Sequence, residues 1–445
     1  MPNILAYLVL IVWPIISIQL FAKLNSVQAF IITVVGGYLI LPVRVNIDFP
    51  LIPALDKSSI VGISLLIGCR FVKKLPVNLI PPEGIERKLV LIYLLIPIFT
   101  TITNQEIVFN GAWWTAGLTP YDMVSAIIAN YLYLIPLILG VQVLNSQYAQ
   151  EQLFKIITVS ALIYSVFILF EVRMSPQLHN WIYGFFPHSF AQQMRDGGFR
   201  AVVFLGHGLL VSIFLVIAIG SVAALWKNKN KQLFGVPIIY ILLYFIVVLI
   251  LQKSLGALLL GIMIFMSVLL FSSRLIALLS LSLITIVILY PSLSLFNIFP
   301  QQGIVELAQS IDPERSHSLN FRFYHENALL EHARHKILFG WGGWGRGMLY
   351  DSIPDGQWII TLGTYGTVGF IAVFGLGFAS VFRGYKMLQN IAHKPSFYYI
   401  SIHMLVVSAI MIDQIPNDSL NSFALMIIGC LLGIAKWTPL TDPKR

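Results

Sequence analysis

The chain has 445 residues, of which 58 % are hydrophobic and only 11 % charged, and its mean hydropathy is +0.84. Soluble chains carry about 25 % charged residues, so this composition excludes an ordinary water-soluble globular protein. The net charge of +9 comes with no nucleic-acid-binding motif, so no nucleic acid is expected as a partner.

Apolar runs of transmembrane length recur along the chain, each long enough to cross about 30 Å of hydrocarbon. They do not alternate apolar with polar residues as barrel strands do, so they read as helices. The expected fold class is all-α, a polytopic membrane helical bundle of about 13 transmembrane helices. The predicted spans are 4–22, 26–41, 58–73, 88–103, 121–142, 153–172, 201–225, 233–251, 254–272, 274–290, 357–381, 398–413 and 419–436. Residues 1–445 form a single integral membrane domain, and a large extracytoplasmic helical loop, 291–356, is inserted between two spans. The first run, Ile4 to Phe21, has no basic flank before it and no small-residue cleavage site after it, so it is expected to be a retained span. The only cysteines, Cys69 and Cys430, sit inside apolar runs and offer neither a disulfide framework nor a zinc pattern.

Lys and Arg in short loops set the orientation. Arg70, Lys73, Lys74, Arg87 and Lys88 share one loop, Lys227, Lys229 and Lys231 a second, and Arg383, Lys386 and Lys394 a third. One topology places all three in the cytoplasm, together with 439–445. The connections 104–120, 173–200, 291–356 and 414–418 then lie outside, where acidic residues such as Glu106, Glu171, Asp196, Asp312, Asp355, Asp413 and Asp418 gather.

Polar chemistry concentrates on that outer side. Arg195 to Arg200 is followed by the span 201–225, which puts His207 two helical turns and roughly 10 Å beyond Arg200 on one face. Ionisable groups at such depth are expensive and point to function, although Arg200 also suits snorkelling and His207 a helix-packing hydrogen bond. Gln252-Lys253-Ser254 falls at the outer boundary between two spans, where a lysine is often only an anchor. In the long loop, Phe321 to Lys336 has helical spacing, so that Arg322 and Glu326 can pair at i,i+4. His325 neighbours them. His332 and His335 have metal-usable spacing but no acidic ligand set beside them, so no metal is expected. The glycines in Gly340 to Gly356 allow tight turns, and Trp341 and Trp344 offer flat faces to a sugar ring or to the membrane interface. Asp355 precedes the re-entry at 357, behind which Gly363 to Gly369 gives a small-residue surface for close helix packing. Fixed cations with an acid or two among aromatics suit an anionic, lipid-linked ligand, because Arg grips phosphate oxygens in bidentate fashion and does not titrate.

These stretches resemble the O-antigen ligase/polymerase superfamily of bacterial envelope enzymes. Phe321 through Leu329 and on to Ile337-Leu338-Phe339-Gly340-Trp341-Gly342 is similar to its pattern of an Arg, a helical segment and a glycine pair. Asp355 to Gly369 is similar to its re-entry into the membrane, and Arg200 with Phe204-Leu205-Gly206-His207 to its Arg motif. The likeness covers about 200–370; the rest agrees in hydropathy alone. Two departures stand out: the ligases of the family carry His near the position of Asp355, and the Arg of a Ser-Arg motif is missing at Ser254, with Lys253 beside it. They favour a polymerase over a ligase. The resemblance implies glycosyl transfer from an undecaprenyl-pyrophosphate-linked oligosaccharide, outside the cytoplasmic (inner) membrane and without cofactor, by a multi-pass protein among membrane lipids and envelope polysaccharide assembly proteins. It further implies substrate-binding roles for Arg200, Arg322, Lys253, His207, Trp341 and Trp344, and a base drawn from Asp355, Glu326 and His325. A ligase acting on a lipid or protein acceptor, a flippase of lipid-linked sugars and a non-catalytic assembly partner are the alternative readings.

Overall fold

The computed structural model describes residues 1–445 except 50–52, 111–112, 196, 229–231, 312, 391–396 and 436–445. Asp196, Lys229, Lys231, Asp312, Lys394 and 439–445, all weighed above, lie outside the described residues. The helices are α1 (Ile4–Lys23), α2 (Ser26–Ile40), α3 (Lys57–Ile67), α4 (Ile85–Ile102), α5 (Pro120–Val143), α6 (Gln147–Met174), α7 (Leu178–Tyr183), α8 (Gly208–Lys227), α9 (Ile238–Leu251), α10 (Leu255–Leu270), α11 (Ser273–Leu295), α12 (Gln301–Ile311), α13 (Pro313–Arg334), α14 (Gln357–Asn390), α15 (Phe397–Asp413) and α16 (Ser422–Ile434). Three short antiparallel ribbons are the only sheet among the described residues. The protein is thus an all-α helical bundle. Six helices (α1, α5, α6, α8, α11 and α14) are long and apolar enough to cross a membrane, and α2, α9, α10, α15 and α16 are shorter apolar helices.

A helix that is apolar all round must be enclosed, either by protein or by lipid. Both cases occur. In α8, α15 and α16 nearly every residue is buried. On the periphery, Leu8, Ile11 and Ile15 of α1, Leu243 and Val247 of α9, and Leu259 and Ile262 of α10 are exposed. A contiguous apolar exterior on this scale is a lipid-facing belt. Close packing at the centre relies on small residues: α5 and α16 cross with Gly140 against Gly429, and a Cβ added at Gly429 would stand 2.7 Å from the Leu137 carbonyl oxygen.

The long connections meet at one end of the bundle. There the Tyr183 hydroxyl donates to the Ile40 carbonyl, Lys57 to Phe204, Lys336 to Thr103, Arg346 to Ala116 and Arg322 to Pro416.

The structure departs from the sequence expectations at three places. The span expected at 201–225 is helical only from Gly208, because 201–207 runs as an irregular segment with Val203 at φ 48° and Gly206 at φ 89°. The loop expected from 291 begins later, since α11 continues through Pro291 to Leu295. It then carries two helices, of which α13 starts at Pro313, where proline's missing N–H costs nothing. Finally, Gly363 to Gly369 is not simply a packing surface. The helix breaks at Gly366 (φ 65°, ψ −166°), and the backbone of 337–342 docks onto the break. Trp341 N donates to Gly363 O at 2.8 Å, Gly342 N to Thr364 O at 2.9 Å, and Thr367 N to Ile337 O at 2.8 Å.

Gly429→Leu should drive its side chain into the α5 backbone and destabilise the bundle by about 1–3 kcal/mol. The check is the thermal midpoint of the purified protein in detergent. Gly256→Ala, where an added Cβ meets nothing within 4 Å, should leave it unchanged or raise it.

Candidate functional site

The segment before α8 is shaped by one carboxylate. Glu171, at the end of α6, is fully buried. Its Oε2 accepts from Val202 N at 2.8 Å and Val203 N at 2.7 Å, and its Oε1 accepts from Leu178 N at 2.8 Å. The Tyr164 hydroxyl takes the next amide, Phe204 N, at 3.0 Å. The three amides of 202–204 are thereby paired without a helix, and the Leu178 amide at the start of α7 is capped by the same carboxylate.

This bracing sets the positions of Arg200 and His207. They are not two turns apart on one helix, as the sequence reading had them: Arg200 precedes the irregular segment, and His207 caps α8, its Nδ1 accepting from Leu209 N at 3.1 Å. Arg200 is 4 % exposed. Its guanidinium donates to the Lys253 carbonyl at 3.1 Å, and the Lys253 ammonium donates to the Arg195 carbonyl at 2.8 Å. The two side chains are thus tied at the tight turn between α9 and α10, where Lys253 has φ 53°. The His207 ring meets His188 edge-on at 4.7 Å. Burial first, then the charges of His188, Arg200, Arg322 and Arg195, push its imidazole down to about 3. Neutral His207 is therefore where the electrostatic fields of Arg200, Arg195 and Arg322 overlap, although these residues lie far apart in sequence.

Arg322 reaches this place from α13. Its Nε stands 3.3 Å from Asp355 Oδ2, and it donates to the Pro416 carbonyl at 3.2 Å. The expected i,i+4 pair with Glu326 does not form. Arg322 finds the Asp355 carboxylate instead, and Glu326 turns to the Tyr290 hydroxyl, which donates to it at 2.8 Å. His325 packs edge-on against Phe321 at 4.4 Å, and its charge acts on Asp355. Burial raises the Asp355 carboxyl, while Arg322 and His325 pull it back. Burial raises Glu326 further, to about 7, against the lowering effect of the Tyr290 bond. Arg322, Glu326 and Asp355 share the wall of a cavity of about 300 Å³, whose other walls are apolar and include Tyr290, Phe299, Phe323 and Ile359.

The two tryptophans do not join this group. Trp341 is stacked on His332 at 4.4 Å with rings 2° from parallel, and its indole N–H donates to the His332 carbonyl at 2.9 Å. With Lys336 also over the ring, Trp341 is a brace for the glycine-rich loop, not the open sugar platform expected. Trp344 is exposed and borders a different cavity, beside Thr101, Leu118 and Tyr365. His332 is committed to Trp341 and to the Arg346 carbonyl at 3.1 Å, and no cluster of three metal-ligating side chains is found among the described residues.

Sequence reasoning missed Tyr290 and the role of Glu171. An acid at the end of an otherwise apolar helix was a signal for the latter; nothing local marks Tyr290. Scanned against protein-family models and searched against curated proteins, the chain finds no match.

Glu171→Gln replaces a charge-assisted acceptor of three amides by an amide whose NH₂ faces a donor. Hydrogen bonds to charged groups contribute about 1.5–3 kcal/mol each, so amide exchange across 202–204 should quicken by about tenfold or more while α8 keeps its protection. Hydrogen-exchange mass spectrometry of the peptide covering 200–207 checks this.

Proposed function

We propose that the protein is a polyprenyl-pyrophosphate-dependent glycosyltransferase that extends, or transfers, a lipid-linked oligosaccharide on the extracytoplasmic face of a bacterial cytoplasmic membrane. Polymerisation of envelope polysaccharide repeats is the favoured form, within a topology of thirteen spans. The observation that carries this reading is Arg322, paired with Asp355, on the wall of an otherwise apolar cavity that also holds Glu326, with Arg200 tied to the Lys253 turn and both guanidiniums within electrostatic reach of His207. The positive-inside distribution of Lys and Arg supports the choice of face.

In this reading Arg200 and Arg322 hold the pyrophosphate of the donor, with Lys253 behind Arg200. The acceptor hydroxyl attacks the anomeric carbon as the bond from that carbon to the pyrophosphate oxygen breaks. The electron pair leaves with the lipid pyrophosphate, whose growing charge meets fixed guanidinium donors. The hydroxyl proton goes to a carboxylate. Of the candidates, Glu326 fits best, since no ion pair engages it among the described residues and its carboxyl sits near 7, where a general base is most effective. Asp355 remains the counter-ion that aims Arg322. The aromatic and aliphatic wall of the cavity suits the apolar part of such a donor.

Purified protein incubated with undecaprenyl-pyrophosphate-linked oligosaccharide should yield longer lipid-linked chains. Transfer to a lipid or protein acceptor would mean a ligase instead, and no product with any acceptor would sink the reading. Arg200→Ala and Arg322→Ala should each lower product formation by about a hundredfold or more, on the scale of losing one transition-state donor, with protein still in the membrane.

The sign of the pH effect follows from the raised Glu326 pKa. Its carboxylate is populated as pH rises through about 7, so the rate should climb across that range. In Glu326→Gln the residual rate should be flat there; a profile unchanged in that variant would assign the base elsewhere.

A further inference from the structure

A second chamber, of about 500 Å³, lies at the same end of the bundle but apart from the Arg322 cavity, against the first turns of α3, α8 and α16. Helix N-termini present free amides and positive potential and so favour anions. Two further observations point to a ligand. The Ser422 hydroxyl, on the wall, is 94 % buried (6 % exposed) and has no hydrogen-bond partner among the described residues. The Lys57 amine, also on the wall, is pushed down to about 7 by burial, an effect Asp56 partly offsets, and an anion beside it would favour its ammonium form with three protons to donate. Its only hydrogen bond among the described residues is a long one, 3.4 Å, to the Phe204 carbonyl, and it lies over the Tyr38 ring at 5.5 Å from the centroid. Neighbouring Asp56 does not absorb it: one carboxyl oxygen caps α3, taking Ser59 N and the Ser59 hydroxyl, both at 2.8 Å. At the rim stands Arg44, exposed, in the left-handed region at φ 56°, with no ion pair among the described residues.

The wall is not purely cationic. Asp56, Asp418 and Asn46 line it as well, and carboxylates there disfavour a bare phosphate while accepting hydroxyl protons readily. We propose that this chamber binds a phosphorylated polyol, a glycerol or sugar phosphate either free or as a lipid headgroup. Lys57, Arg44 and Ser422 contact the phosphate, and Asp418 and Asn46 take its hydroxyls. The site does not depend on glycosyl transfer. It adjoins the first site through the loop 203–207, and the Arg44 charge acts on His188, which in turn packs on His207.

The test uses the full chain, purified in detergent and stripped of lipid. Native mass spectrometry measures retention of phosphatidylglycerol against phosphatidylcholine, and calorimetry measures glycerol phosphate against inorganic phosphate. Phosphatidylglycerol retained over phosphatidylcholine, or glycerol phosphate bound over inorganic phosphate, is the expected result. Retention of the lipid alone identifies a headgroup site; binding of both shows that the headgroup chemistry suffices. Lys57→Met should weaken binding by about tenfold, the loss of one charge-assisted contact. Arg44→Ala, at an exposed rim position that does not threaten folding, should weaken it several-fold, and Arg322→Ala should leave it unchanged. No binding of either polyol phosphate, equal binding of inorganic phosphate, or affinity unaltered in Arg44→Ala and in folded Lys57→Met would overturn the proposal.

Discussion

A peptide group at membrane depth has no water to bond and must find its partner within the protein. This chain leaves the regular helix at two places next to its polar centre, at 201–207 and at Gly366, and each departure is repaired by a specific device. At the first, Glu171 and Tyr164 accept the amides of 202–204. At the second, the backbone of 337–342 fills in for the missing turn of α14. The first repair carries candidate site residues with it, while the second shapes the glycine-rich loop. The first holds Arg200 on one flank and His207 on the other, and the second holds Gly340 to Trp344 against α14. At 201–207, therefore, the irregular backbone comes from the same interactions that position Arg200 and His207.

The cations are kept at this end by related means. Burying a charge without a partner is costly, and helix ends supply carbonyls that no longer serve the helix. Arg200 uses the Lys253 carbonyl, Lys253 the Arg195 carbonyl and Arg322 the Pro416 carbonyl. Each of these positive side chains thus has its donors partly satisfied by neutral dipoles. Burial first, and nearby positive charges after it, disfavour the charged form of His207, whose Nδ1 accepts the α8 amide.

Much of this was legible from the sequence, for reasons that are local. Uninterrupted apolar runs mark helices such as α5, α6 and α8, because length and hydropathy alone decide what crosses lipid. The expectation that Arg200, Lys253, Arg322 and Asp355 lie at one end came from counting spans, each expected at a connection of the same parity; the structure pairs Arg200 with the Lys253 turn and Arg322 with Asp355. What escaped is non-local. The true start of α8 depends on a carboxylate about thirty residues earlier in the chain, and period alone reads 201–207 as more helix. The Arg322–Glu326 pairing was permitted by helical spacing, but a tertiary carboxylate and a tertiary hydroxyl outcompeted it. Trp341 offered a flat face in one dimension, and only the folded loop shows that His332 covers it.

Asp355 and Glu326 line the same cavity, yet their surroundings treat them differently. Asp355 has a cation beside it, and that charge opposes the effect of burial. Glu326 has only neutral donors beside it among the described residues, chiefly the Tyr290 hydroxyl, and burial raises its carboxyl toward neutrality. Environments that treat two titratable groups differently are a recurrent basis for acid–base division of labour. The Arg322–Asp355 contact is also loose: 3.3 Å exceeds the roughly 2.7–2.9 Å of a strong charge-assisted bond. A phosphate presented to Arg322 can take up donors that the carboxylate holds weakly, with little loss of internal bonding. In the proposed reaction, Asp355 would thus be a placeholder that keeps the guanidinium pointed into the cavity until an anion of higher charge arrives, and Glu326 would be the group that accepts a proton.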